Sequence, residues 1–169
     1  MTMPHKITRR LLMVLAASLL ASSCSASDGD RGTRDPYPYW EKGAGAPEVA
    51  DFMKVDVPAG ATEVKGAVQA NPQEDVYLLS FVTGAEQAVQ IAEDLRSEKP
   101  LRTRAVDLPP DQELFGHLGL PEPQTLKGAR WAGVCPPCVK DHRRGNVQWI
   151  DVYVYDMAGG KARVYLHAF

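Results

Sequence analysis

The sequence lacks a long hydrophobic run. Its most apolar stretch, residues 11–21 (LLMVLAASLLA), has 11 residues, whereas a membrane-spanning helix needs about 20. Cysteine is scarce, at three, which excludes a small disulfide-rich scaffold. Positive charge is also in short supply beyond the first residues. Lys6, Arg9 and Arg10 are the only charged side chains of residues 1–23, and residues 24–169 carry 16 basic and 21 acidic side chains, a net −5. Phosphate binding needs a basic surface, so nucleic acid is not an expected partner. There is no phosphate-cradling glycine loop, no G-x-S-x-G and no H-E-x-x-H. The adjacent carboxylates Glu74-Asp75 and Glu93-Asp94 read as solubilising groups at a turn and on a helix face. What is present, 169 residues with 44% apolar and 24% charged side chains, is the composition of one globular domain.

The N-terminus carries an address. A short basic stretch precedes the apolar run, and the run ends in Leu20-Ala21-Ser22-Ser23-Cys24. This is the layout of a secretory signal. The small residues before a cysteine resemble the lipobox of bacterial lipoproteins, although the position three before the cysteine, where Leu is commonest, is Ala21. The resemblance implies a signal peptide over 1–23, a diacylglyceryl group on Cys24 and cleavage just before it. Two acyl chains suffice for durable anchoring, at about 0.8 kcal/mol per buried methylene. The expected location is therefore the extracytoplasmic face of the cell membrane, with the lipid anchor as the membrane contact. The alternative is a secreted protein cut near Ala26, with Cys24 discarded. Thr8-Arg9-Arg10-Leu11-Leu12 also loosely resembles a twin-arginine export signal.

Residues 24–47 read as the lipidated cysteine and a flexible tether. The segment is rich in Ser, Gly, Asp and Pro and shows no apolar period. As coil its 23 residues after Cys24 would reach on the order of 25 Å. Tyr37, Tyr39 and Trp40 are unusual in a linker. They are expected either to dock on the domain or to meet a partner or the membrane interface.

Residues 48–169 read as a single α+β domain. An antiparallel sheet of five or six strands is expected, with one main amphipathic helix and a short second helix on one face. Residues 62–69 and 75–83 are two strands turned at Asn71-Pro72, and the second, apolar on both faces, suits a central position. Thr83 and Glu86 match a capping box. The helix after them keeps Ala85, Ala88, Ala92 and Leu95 on one side. A strand is expected over 101–108. Pro109-Pro110-Asp111 then opens the short helix, which carries Leu114, Phe115 and Leu118.

Residues 147–155 and 162–169 alternate about an Ala158-Gly159-Gly160 turn. Placing Ile150, Val152 and Val154 with Val164, Leu166 and Ala168 on the buried face fixes the register, because a one-residue slip would expose them. Tyr153 then opposes Tyr165, Asp151 opposes His167, and Trp149 opposes Phe169. The resulting face makes Trp149, Tyr153, Tyr165, His167 and Phe169 candidate binding residues. Cross-strand aromatic pairing alone would also explain it. Asp151–His167 reads as a structural ion pair, since no nucleophile can be placed beside it.

Arg130 to Lys140 reads RWAGVCPPCVK. Trp131 and Cys135-Pro136-Pro137-Cys138 resemble the active-site stretch of thioredoxin-like oxidoreductases over about ten residues. That resemblance implies Cys135 as nucleophile and Cys138 as resolving thiol. The surroundings differ: the motif comes late, sits between two strands, and is followed by a segment too short and polar for that family's long helix. Cys135, Cys138 and His142 have C-x2-C-x3-H spacing, which could supply three zinc ligands; His117 is the candidate fourth, though nothing in the sequence brings it close. A structural disulfide is the third reading, favoured by the compartment and by the even pair left once Cys24 is lipidated. No metal or cofactor is expected. Lys140, His142, Arg143 and Arg144 form a basic cluster that reads as a solvated loop tip or an anionic contact. The composite expectation is a membrane-anchored lipoprotein with a non-catalytic domain binding an unknown protein or small molecule. The alternative is a tethered thiol–disulfide oxidoreductase.

Overall fold

The computed structural model describes residues 36–103 and 112–169, which belong to one compact unit. Cys24 and the signal segment, most of the strand expected at 101–108, and Pro109-Pro110-Asp111 lie outside the described residues. No helix among the described residues is long and apolar enough to cross a membrane.

The strands are β1 (Tyr39–Trp40), β2 (Thr62–Ala70), β3 (Val76–Gly84), β4 (Arg102–Thr103), β5 (Arg130–Val134), β6 (Ile150–Met157) and β7 (Lys161–Ala168). They form one sheet in the order β1-β2-β3-β7-β6-β5-β4, with every neighbouring pair antiparallel. Among the described residues the architecture is α+β with seven strands rather than five or six, because the two-residue strands β1 and β4 flank the longer ones. β3 is an inner strand, as its two-sided apolar pattern predicts. The β6–β7 register matches the sequence reading: Tyr153 opposes Tyr165 and Asp151 opposes His167. Trp149 and Phe169 exchange backbone hydrogen bonds just beyond the strands.

Two helices, α1 (Ala46–Met53) and α2 (Ala85–Asp94), pack on the same face of the sheet. α2 buries Ala88 and Ala92, and Leu95 just beyond its end, as the periodicity predicts. Its start differs from the expected capping box. Gly84 is the N-cap, and the Thr83 hydroxyl donates to Gln87 Oε1 (2.7 Å) instead of accepting from the helix. α1 has no counterpart in the sequence pattern, and the expected boundary at 47/48 falls inside it. Pro47 and Glu48 suit a first helical turn, Val49 and Met53 are fully buried, and Phe52 stacks on Tyr77 with ring centroids 3.6 Å apart. The expected short helix also differs. Phe115–Leu118 is a 3₁₀ turn on the opposite face of the sheet, where Phe115 meets Leu78, Tyr153 and Tyr165. The linker aromatics are part of this body: Tyr39 and Trp40 pair with β2, and the Trp40 indole stacks on His117 at 3.9 Å.

Arg144 holds the helical layer to the loop after β5. It is 1% exposed. Its Nε donates to Met53 O (2.8 Å), Nη2 to Lys54 O (3.0 Å) and Asp94 Oδ2 (3.0 Å), and Nη1 to Asp94 O (3.3 Å) and Asp141 Oδ2. A cation thus caps the C-terminal ends of both helices, where free carbonyls and the helix dipole favour it. Arg143 pairs with Asp141 and Asp94. The expected basic cluster therefore does not form a patch: one member is buried and another is neutralised. Asp94, expected to be merely solubilising, is a partner to both arginines.

Burial alone would raise the Asp141 carboxyl, but hydrogen bonds from Arg143 and Arg144 outweigh it and hold the group at about 2, against an ordinary 3.8. The stability from this pairing is complete above about pH 4 and is lost as pH falls through 2. Urea midpoints of wild type and Asp141→Asn should therefore converge over that interval. Arg144→Met strands the buried Asp141 carboxylate and the helix-end carbonyls. A loss of about 3–5 kcal/mol is expected from urea denaturation at pH 7.

Candidate functional site

The alternation of β6 and β7 sends Asp151, Tyr153, Tyr155, Arg163, Tyr165 and His167 to the face away from the helices. Part of that face is covered. Phe115 meets Tyr165 edge-on (5.1 Å, 88°), leaving Tyr165 1% and Tyr153 8% exposed. Next to this cover lies a cleft of about 430 Å³, within the usual range for a small-molecule site. Val76, Leu114, Phe115, Tyr153 and Phe169 supply its apolar and aromatic walls. Glu74, Gln112, Glu122, Gln124, Asp151 and His167 supply its polar groups. No Lys or Arg lines it among the described residues.

Of the five candidate binding residues, the structure brings Tyr153, His167 and Phe169 together in this cleft. Tyr165 is sealed beneath Phe115 and is a core residue. Trp149 turns away over Gly133, where a Cβ would overlap its ring, and lines a smaller recess with Trp131. Trp149 still acts on the cleft through a neighbour. Its Nε1 (3.0 Å) and Trp131 Nε1 (2.9 Å) both donate to Asp151 Oδ1, while Asp151 Oδ2 lies 3.6 Å from His167 Nδ1. Burial alone would raise the Asp151 carboxyl, but the bonds from His167, Trp149 and Trp131 outweigh it and hold the group below the ordinary aspartate range. Two indoles thus fix the carboxylate that orients the imidazole. The expected Asp151–His167 pairing is present, and it sits in the wall of a cleft.

Glu74, Glu122 and Gln124 were not expected at a site. Glu122 Oε1 accepts from the Gly116 N–H at 3.0 Å. Burial pushes the Glu122 carboxyl up, opposed by the backbone N–H groups of Gly116 and Phe115. The only signal in the sequence is an acidic residue between two prolines, Pro121-Glu122-Pro123, which marks a loop without saying where it lands.

The second candidate region is the loop after β5. Cys135 and Cys138 are at disulfide distance, with Cα atoms 5.2 Å apart. His117 stacks on Trp40, and among the described residues no group of three or more His, Cys, Asp or Glu could hold a metal ion. Cys138 is exposed and Cys135 half-buried.

No protein-family model, curated protein or solved structure matches the chain. The reading of its sites therefore rests on their own chemistry.

An acid whose folded-state pKa is raised costs stability as pH rises through it. Glu122→Gln keeps the oxygen that accepts from Gly116 and removes the buried charge. This variant should melt higher than wild type at pH 7. The difference should close below the ordinary glutamate range, as checked by thermal unfolding at pH 7 and pH 3.

Proposed function

We propose that the chain is a lipid-anchored, non-catalytic binding domain held at the extracytoplasmic face of the cell membrane, with the cleft beside Tyr153, His167 and Phe169 as its ligand site. The lipobox-like Leu20-Ala21-Ser22-Ser23-Cys24 supports the anchor. The cleft supports the binding role and is the observation that carries this reading.

The cleft's lining states what it would accept. Carboxylates and amides accept hydrogen bonds, aromatic rings offer flat apolar area, and among the described residues no Lys or Arg lines the walls to attract an anion. Low-dielectric walls strengthen the field of the ionised Asp151. The favoured ligand is a small organic amine with an apolar body, held by charge-assisted hydrogen bonds and cation–π contact.

Cys24→Ala should move the protein from the membrane fraction to the soluble fraction, checked by fractionation and intact mass. Persistence at the membrane would overturn the anchor. In calorimetric titrations with small aromatic amines such as tyramine, His167→Ala and Gln124→Ala should each weaken binding at least tenfold. Absence of binding by any amine of the panel would overturn the cleft reading.

A further inference from the structure

We infer that Cys135–Cys138 is an exchangeable disulfide, entered by an external thiolate at Cys138 Sγ, with Cys135 as the leaving and resolving sulfur. This inference is independent of the cleft and reverses the order implied by the thioredoxin-like spacing.

The turn does not depend on its bridge. The Cys138 N–H donates to Cys135 O (3.0 Å), Val139 N–H to Cys135 O (3.2 Å), Lys140 N–H to Pro137 O (3.2 Å) and Asp141 N–H to Pro136 O (2.9 Å). Upstream, the buried Val134 is paired with Ile150 in the sheet. Downstream, Asp141 is locked to Arg144. Both ends and the middle are fixed by contacts that need no sulfur–sulfur bond. The same backbone can therefore hold the dithiol and the disulfide, as reversible exchange requires.

The two sulfurs are unequal. Cys135 sits half-buried between the buried Val134 and Pro136, whereas Cys138 lies on the exposed side of the turn. Attack on a disulfide runs along the sulfur–sulfur axis, so an external thiolate has its approach from the Cys138 side. The backbone N–H of Cys138, shared with Cys135 O, also donates to Cys135 Sγ at 3.3 Å. An N–H aimed at a sulfur stabilises negative charge there, and a better-stabilised thiolate leaves faster. Access and leaving-group stability select the same direction.

The step balances. An external thiolate attacks Cys138 Sγ and forms a mixed disulfide. The Cys135–Cys138 bond breaks, and its electron pair goes to Cys135 Sγ, which leaves as thiolate. If the partner carries a second thiol, that thiolate attacks the partner's own sulfur and expels Cys138 as thiolate. The partner is then oxidised by two electrons and this chain reduced, with solvent supplying protons to its thiolates. In the reverse direction Cys135 attacks the mixed disulfide at Cys138 Sγ and releases the partner. The substrate class is a dithiol or its disulfide.

The experiment uses the full chain carrying Cys24→Ser, so that only this pair remains. The oxidised protein is mixed with glutathione, quenched in acid and mapped by fragmentation mass spectrometry. The expected adduct is on Cys138. Cys135→Ser, whose Cys138 is a free thiol, is instead given oxidised glutathione, which exchanges with Cys138 and releases one glutathione thiolate; lacking the resolving sulfur, it should keep that adduct at least tenfold longer than the reduced intact pair given the same reagent. The fully reduced chain should keep the circular dichroism of the oxidised one. An adduct on Cys135 overturns the order. Failure of glutathione to open the bridge at any ratio, or loss of structure on reduction, overturns exchange altogether. Repeating the reaction with an unfolded protein dithiol tells a protein partner, which becomes oxidised, from a small thiol that alone reacts.

Discussion

A guanidinium removed from water governs how this fold closes. Burying an unpaired charge costs far more than any one contact returns, so every donor of Arg144 needs a partner. Those partners come from three places distant in sequence: the end of α1, the end of α2 and Asp141. Meeting that demand sets where both helices stop relative to the sheet and pins the loop that carries the cysteine pair. Apolar contact among Val49, Met53, Phe81, Leu95 and Val164 supplies the attraction across this layer. It is not directional, and the arginine adds direction.

The two faces of the sheet then do different work. One is buried under the helices and is mostly apolar. The other mixes aromatics with charges and is roofed only in part by the Phe115–Leu118 turn, which Lys65 tethers through Leu118 O at 2.7 Å. Because the roof stops short of Phe169, a cleft remains between it and the sheet. Its polar wall is built from behind by Trp131 and Trp149, which hold Asp151 and through it His167. A rigid strand pair thus presents groups that a loop would hold less firmly.

The parts legible in the sequence were those governed by short-range periodicity. Alternation about Gly159-Gly160 was enough to place Asp151 against His167 and Tyr153 against Tyr165, since any slip would turn the apolar set outward. The 3.6-residue spacing of Ala88, Ala92 and Leu95 was enough for α2. What escaped was set by distant partners. Arg144 looked like one more basic residue of a loop tip because Met53 and Asp94, which bury it, lie 91 and 50 residues away. α1 was hidden by Gly43-Ala44-Gly45-Ala46-Pro47, whose composition matches a linker although Pro47 and Glu48 suit a helix start. Periodicity also cannot tell which side of a sheet a short turn will choose. Phe115 therefore landed opposite the expected face and sealed Tyr165, while Glu122 and Gln124 arrived at the cleft with the same segment.

The described margins of the sheet are guarded by charge and irregularity more than by cover. The outer strands β1 and β4 are only two residues each, and β1 covers β2 only at Gln69 and Ala70. Gly45 and Ala46 pass over one face of β2, so close that a Cβ at Gly66 would overlap them, without covering its edge. Where β1 does not reach, the irregularity between Thr62 and Lys65 and the charges of Glu63 and Lys65 are what discourage another copy from extending the sheet.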